Sequence, residues 1–173
     1  MHSTSHGLAS ASDLPATGSE PFTVAIVGAG FSGTALAIHL LRQRRAASLR
    51  IVLVDPAAQV GAGVAYATRD YPYPLNVAAG QMSLDSAYPR DFLDYLCDQG
   101  IHAEPGDYLP RQVFGEYLRT RFETARAMAP DGVASTHVAA RALQLRRSPA
   151  GFDLWLDNGS ALRADEVVLA KRG

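Results

Sequence analysis

The sequence predicts an α/β fold in which a parallel sheet carries a helical insertion and an antiparallel β-meander. Three observations predict it. Val24-Ala25-Ile26-Val27 is an unbroken apolar run that ends in Gly28-Ala29-Gly30-Phe31-Ser32-Gly33, a GxGxxG pattern. A helical pattern over 31–45 then leads to a second apolar run, Ile51-Val52-Leu53-Val54, closed by Asp55, which stands 22 residues beyond Gly33. From Val133 onward the pattern changes to strand-like alternation with an Asn158-Gly159 turn.

The first run has the composition of a strand buried on both faces of a parallel sheet, so the glycines fall at a strand-to-helix turn, as in a Rossmann-like βαβ unit. Gly28 permits the tight turn, Gly30 leaves room for a pyrophosphate, and Gly33 lets the helix lie close to the sheet. The helix amides, with Phe31 and Ser32 in the first turn, then point at phosphate. Asp55 ends the neighbouring strand, where its carboxylate accepts both hydroxyl protons of an adenosine ribose and repels a 2′-phosphate. The motif therefore reads as a dinucleotide site that disfavours NADP. FAD and NAD share the ADP half, and this unit does not separate them. Arg42, Arg44, Arg45 and Arg50 read as a solvated helix end, where cations relieve unpaired carbonyls.

After Asp55 about thirty residues punctuated by Pro56, Gly61, Gly63, Pro72, Pro74 and Gly80 show no regular pattern. A loop of that length leaving the carboxyl end of a strand is a candidate ligand-covering segment. Helices are expected over 89–99 and 110–129, each with proline in the first turn. Arg111 in a first turn opposes the helix dipole, which an anion or a carbonyl would compensate. Alternation over 136–145, 152–156 and 161–163 predicts an antiparallel meander, and the apolar run 166–170 returns to the parallel sheet.

With 173 residues and 47% hydrophobic content the chain can bury one good core. A formal net charge of −1 gives no field for nucleic acid or an anionic membrane, and no apolar stretch approaches the ~18 to 20 residues that span a bilayer. Residues 1–20, rich in Ser, Ala, Thr, Gly and His, are expected to form a disordered leader ahead of a domain over 21–173. Cys97 is the only cysteine, which fits a cytoplasmic protein, and its neighbours Leu93, Tyr95 and Leu96 predict a buried thiol. Five scattered histidines imply no metal site. No catalytic side chain stands out. Lys171 is the only lysine, and the Tyr-x-x-x-Lys arrangement of small NAD-dependent enzymes is missing.

The chain resembles the N-terminal FAD-binding part of bacterial FAD/NAD(P)-binding proteins, which are distantly similar to flavin-dependent N-hydroxylating monooxygenases. The resemblance runs from about Phe22 to Ala170 and rests on the segments 27–33, 61–66, 75–77 and 82–83, on Phe92 with Tyr95-Leu96, and on 109–111 with 115–118. It implies FAD with its ADP on Gly28, Gly30, Phe31, Ser32, Gly33 and Asp55, and its flavin ring under the loop carrying Asn76, Met82 and Ser83. It further implies Arg111 as a polar contact to flavin or substrate, and an adenine-reading backbone pair in the first meander strand, near Val138. The family pattern continues into an NAD(P)H-binding domain, whereas here Lys171-Arg172-Gly173 follow the last strand. The expectation is a truncated two-dinucleotide-domain flavoprotein: the FAD-binding portion of an NAD(P)H-dependent oxidoreductase, catalytically incomplete alone. The alternative is a non-catalytic dinucleotide-binding fragment or an inert remnant. The small-molecule substrate is not legible.

Overall fold

The computed structural model of the chain describes residues 20–43, 48–61 and 73–170. Strand β1 (Phe22–Val27) lies between two parallel neighbours, β2 (Leu49–Val54) and β7 (Glu166–Leu169), with Val27 opposite Val54 on one side and Leu169 on the other. Its apolar run is thereby buried on both faces, as its composition requires. A fourth parallel strand, β3 (Val133–Val138), pairs with β2, giving the order β3-β2-β1-β7.

The two faces of this sheet carry different layers. Val24, Ile26, Ile51 and Leu53 point to a helical layer of α1 (Phe31–Arg42), α2 (Asp91–Asp98) and α3 (Arg111–Ala127), where Ile38, Leu41, Phe92, Phe114, Leu118 and Phe122 fill the core. Val27, Val52 and Val54 point to the meander β4 (Ala142–Ser148), β5 (Gly151–Leu156) and β6 (Ala161–Ala164), meeting Leu154, Leu156 and Ala140. The alternation along β1 and β2 thus sorts two apolar cores. Asn158-Gly159 makes the β5–β6 turn as expected, with Leu154 opposite Leu162.

Several expectations shift. The alternating stretch 136–145 is two strands: β3 belongs to the parallel sheet and β4 opens the meander. Between them the Ala140 N–H returns to the Val138 carbonyl at 2.9 Å, and the Asp157 carboxylate takes the Arg141 N–H at 2.8 Å. Neither glycine nor proline marks this break, so the alternation runs through it unseen. Helix α1 ends at Arg42, with extended Gln43 as its C-cap, and Arg50 lies on β2, not at the helix end. Pro89 and Pro110 stand before the helices, Pro110 as the N-cap of α3. Cys97 is exposed, because α2 buries Phe92, Leu93, Tyr95 and Leu96 and turns position 97 outward. The long loop contains a short 3-10 helix, Ala79–Gln81. Residues 1–19, which hold nearly all of the expected leader, and Arg44, Arg45, 62–72 and 171–173 lie outside the described residues. No described helix is long and apolar enough to cross a membrane.

Candidate functional site

The turn after β1 is built around two glycines. Gly28 has φ +104°, in the left-handed region, and its N–H reaches the Val54 carbonyl at 2.8 Å. A Cβ on Gly33 would stand 1.8 Å from the Gly28 carbonyl oxygen, so α1 packs at a distance that only glycine allows. Gly30 is the N-cap of α1, with no side-chain cap and no acidic residue in the first turn. The first amides of a helix have no intrahelical acceptor, so those of Phe31, Ser32 and Gly33 are open to an external acceptor. Phe31 and Ser32 are exposed at the same turn.

Asp55 braces the turn from β2. One carboxylate oxygen accepts the Ala29 N–H at 2.9 Å and the other the Ala57 N–H at 2.8 Å, leaving lone pairs on both. The Asp55 N–H donates to the Val138 carbonyl at 3.2 Å, so the ends of β1, β2 and β3 converge here. Val138 lies at the carboxyl end of the parallel sheet, and its carbonyl also accepts the Ala140 N–H. The placement of Val138 in the meander is thereby corrected. Gly61, with φ +84°, donates to the Ala29 carbonyl at 2.9 Å, and a Cβ there would lie 3.1 Å from the Gly115 carbonyl of α3. Glycine at 61 lets the segment after Asp55 wedge between the turn and α3.

Of the remaining site residues, Asn76, Met82 and Ser83 lie along a strap, residues 73–85, and Arg111 opens α3. Phe31 stacks on Phe114, ring centroids 6.0 Å apart, which sets the first turns of α1 and α3 side by side. At that edge the Arg111 N–H donates to the Tyr73 carbonyl at 2.9 Å and its Nε to the Pro74 carbonyl at 3.2 Å. A carbonyl thus compensates the cation in the first turn. Asn76, exposed, follows on the same edge. Met82 packs half-buried on the helical core. The Ser83 hydroxyl lies 2.7 Å from the Tyr88 carbonyl and accepts the Asp85 N–H at 3.2 Å, closing a local turn. Asp85 meets Arg42 in the last turn of α1 at 3.4 Å, so this part of the strap lies toward the end of α1 remote from the glycines. The structure brings Gly28, Gly30, Phe31, Ser32, Gly33, Asp55 and Val138 together, sets Asn76 and Arg111 on an adjoining edge, and places Ser83 away from the turn.

One cluster escaped the sequence reading. The Tyr117 hydroxyl donates to Asp91 Oδ2 at 2.5 Å and accepts the Leu84 N–H at 3.1 Å, while Arg121 grips Asp91 through Nε at 3.0 Å and a terminal nitrogen at 2.9 Å. Burial, and then the bond to Asp91, push the Tyr117 hydroxyl up to about 12. Burial opposes the Arg121 charge, but Asp91 outweighs it and holds the guanidinium above its ordinary value. The spacing of Tyr117 and Arg121 on one helical face was the available signal; nothing in the sequence joined them to Asp91. Among the described residues no group of His, Cys, Asp or Glu could hold a metal.

The chain is 30% identical, over 87% of its length, to an L-aspartate N-monooxygenase (nitrosuccinate-forming) of Streptomyces davaonensis, and spans 29% of that protein. A flavin-containing monooxygenase from Stenotrophomonas maltophilia superposes with a TM-score of 0.58 at 21% identity, over 86% of this chain and 38% of that one. Cyclohexanone monooxygenase superposes with a TM-score of 0.56 at 18% identity, over 86% of this chain and 27% of that one. At these identities the two structures show the shared fold. Residues 25–171, which run from β1 through the glycine turn, the strap and the meander to just past β7, match the FAD-NAD(P)-binding family, and the chain belongs to it.

Proposed function

We propose that this chain binds FAD and forms the FAD-binding portion of an NAD(P)H-dependent flavin oxidoreductase of the monooxygenase type. The observation that carries the reading is the uncapped amino end of α1, set by Gly28 and Gly33 beside a carboxylate that retains free lone pairs. In this reading the amides of Phe31, Ser32 and Gly33 face the diphosphate, and Gly30 lets it approach. Asp55 accepts the ribose hydroxyls and its charge excludes a 2′-phosphate. Asn76 and Arg111 meet the far half of the cofactor, with Met82 as an apolar contact, Ser83 holding the strap, and the Val138 end of β3 beside the adenine. When bound, FAD supplies the redox chemistry, and no side chain is assigned a catalytic role. N-oxygenation of a small amino acid is the first reaction to test, since the 30% identical relative carries that activity in its name.

The test is to add excess FAD to the purified chain, remove free ligand, record the visible spectrum and titrate flavin fluorescence. One bound flavin per chain supports the reading; a folded chain that retains none refutes it. A second reading, a nucleotide-binding module that performs no reaction by itself, draws on the 29% span of that relative. NADH or NADPH consumption by the FAD-loaded chain rejects the second reading.

A further inference from the structure

We infer that Tyr117 is a positioning residue for the strap that begins at the proposed cofactor site, its hydroxyl tying residues 82–85 to the helical layer; this rests on the FAD reading above. The strap starts at the mouth of the site, where Tyr73 and Pro74 pair with Arg111 and the Leu75 N–H meets the Leu109 carbonyl at 2.8 Å. Its middle is held by backbone bonds from Ala79 to Asp107 and from Gly80 to Pro105. Its far end packs on the helical core through Met82 and Leu84, and one buried hydrogen bond, Leu84 N–H to Tyr117 Oη, fixes its backbone there. Leu84 is 7% exposed, so that N–H has no route to water and needs the oxygen. The ion pair at this end, Arg42 with Asp85, is solvent-exposed on the arginine side and holds it weakly.

The direction of the bonds is fixed. A carboxylate only accepts, so the Tyr117 proton goes to Asp91, and the phenol oxygen is left to accept from Leu84. Arg121 pins Asp91 from the same helix as Tyr117, one turn on. The tyrosine ring cannot drift, packed against Phe92, Tyr95 and Phe114 at centroid distances of 5.0, 5.4 and 5.3 Å. Phe114 in turn stacks on Phe31 in the first turn of α1. One aromatic row therefore runs from the first turn of α1 to the group that holds the strap, and removing one oxygen leaves the strap's far end with its packing but without its buried hydrogen bond.

The test compares Tyr117→Phe with the wild-type chain by hydrogen exchange without FAD and by the rate of FAD release. The inference expects exchange at residues 82–88 to rise at least about tenfold relative to β1 and β2, and FAD release to quicken at least about threefold. A merely structural tyrosine would lower the melting temperature while leaving both ratios unchanged, which overturns the inference. Faster strap exchange with unchanged FAD release overturns it as well, because the strap then plays no part in holding the cofactor. Should Tyr117→Phe not fold, Asp91→Asn keeps the phenol and weakens its anchor; it should raise strap exchange by a smaller factor, and no rise refutes the idea. A wild-type chain that takes up no FAD fails the cofactor reading first, before any variant is compared.

Discussion

Gly33→Ala would place a methyl carbon 1.8 Å from the Gly28 carbonyl oxygen, 3.0 Å from its carbon and 3.2 Å from Ile26 Cγ2. Restoring ordinary contact at 3.4 Å means a shift of 3.4 − 1.8 = 1.6 Å between the turn and the helix. The helix cannot supply it freely, since Ala37, Ile38 and Leu41 on its inner face are fully buried. Overpacking of this kind costs about 1 to 3 kcal/mol, and a backbone oxygen as the obstacle argues for the upper end. The same shift withdraws the first-turn amides from an anion. Losing two charge-assisted hydrogen bonds at about 1.5 to 3 kcal/mol each would weaken FAD binding by roughly a hundredfold or more. The assay is urea unfolding paired with the flavin fluorescence titration. Gly106→Ala is the matched control, because a Cβ there meets nothing within 4 Å, and it should stay within about 0.5 kcal/mol of wild type. A Gly33→Ala protein as stable as that control, binding FAD like wild type, would refute both the packing argument and the anion site.

Asp55→Ala removes the acceptor of the Ala29 and Ala57 amides as well as the proposed ribose contact, so it should cost about 1 to 3 kcal/mol in stability and weaken FAD binding by roughly tenfold or more; unchanged titration curves would refute the role. Tyr117 gives a pH dependence: its hydroxyl is raised from 10.0 to about 12 in the folded chain, so folding favours the protonated phenol. Its stabilisation is full below pH 10 and is lost as pH rises from 10 through 12, about 2 to 3 kcal/mol in all. Urea unfolding at intervals across that window should show the loss in wild type and not in Tyr117→Phe. Cys97, exposed on α2, should react with a disulfide reagent in the native chain at nearly the rate seen in denaturant; a thiol silent until unfolding would contradict its placement.

The parallel sheet was legible because its signals are local. Val24 to Val27 and Ile51 to Val54 carry the composition of doubly buried strands, and Gly28 to Gly33 mark the turn without help from distant residues. The boundary between β3 and β4 was not, because Ala139, Ala140 and Arg141 preserve the alternation while the chain changes sheets. What turns it is the Asp157 carboxylate on the Arg141 N–H, 16 residues away in sequence. The burial of Cys97 was misread for a related reason. Its apolar neighbours suggested a buried position, but a helix turns by about 100° per residue, enough to bury Leu96 and leave Cys97 in solvent.

The same division runs through the site. Asp55 lies 26 residues from Ala29, within one βαβ unit, and the spacing alone placed it against the glycine turn. Arg111 was legible as an anomaly, a cation against a helix dipole, yet its answer, the Pro74 carbonyl 37 residues earlier, belongs to a segment with no periodicity to read. Tyr117 reads as core in any helical pattern, and it is core; only the structure brings its hydroxyl to Leu84, 33 residues back, and to Asp91, 26 residues back. The glycine turn with Asp55, the proposed ADP end, is thus written in a short local motif. The strap over 73–85 depends instead on side chains that serve packing and hydrogen bonding together. A motif therefore finds the proposed phosphate end, whereas the hold of Tyr117 on the strap shows only in the folded chain, and under the FAD reading substitutions there should alter cofactor retention while leaving the glycine turn intact.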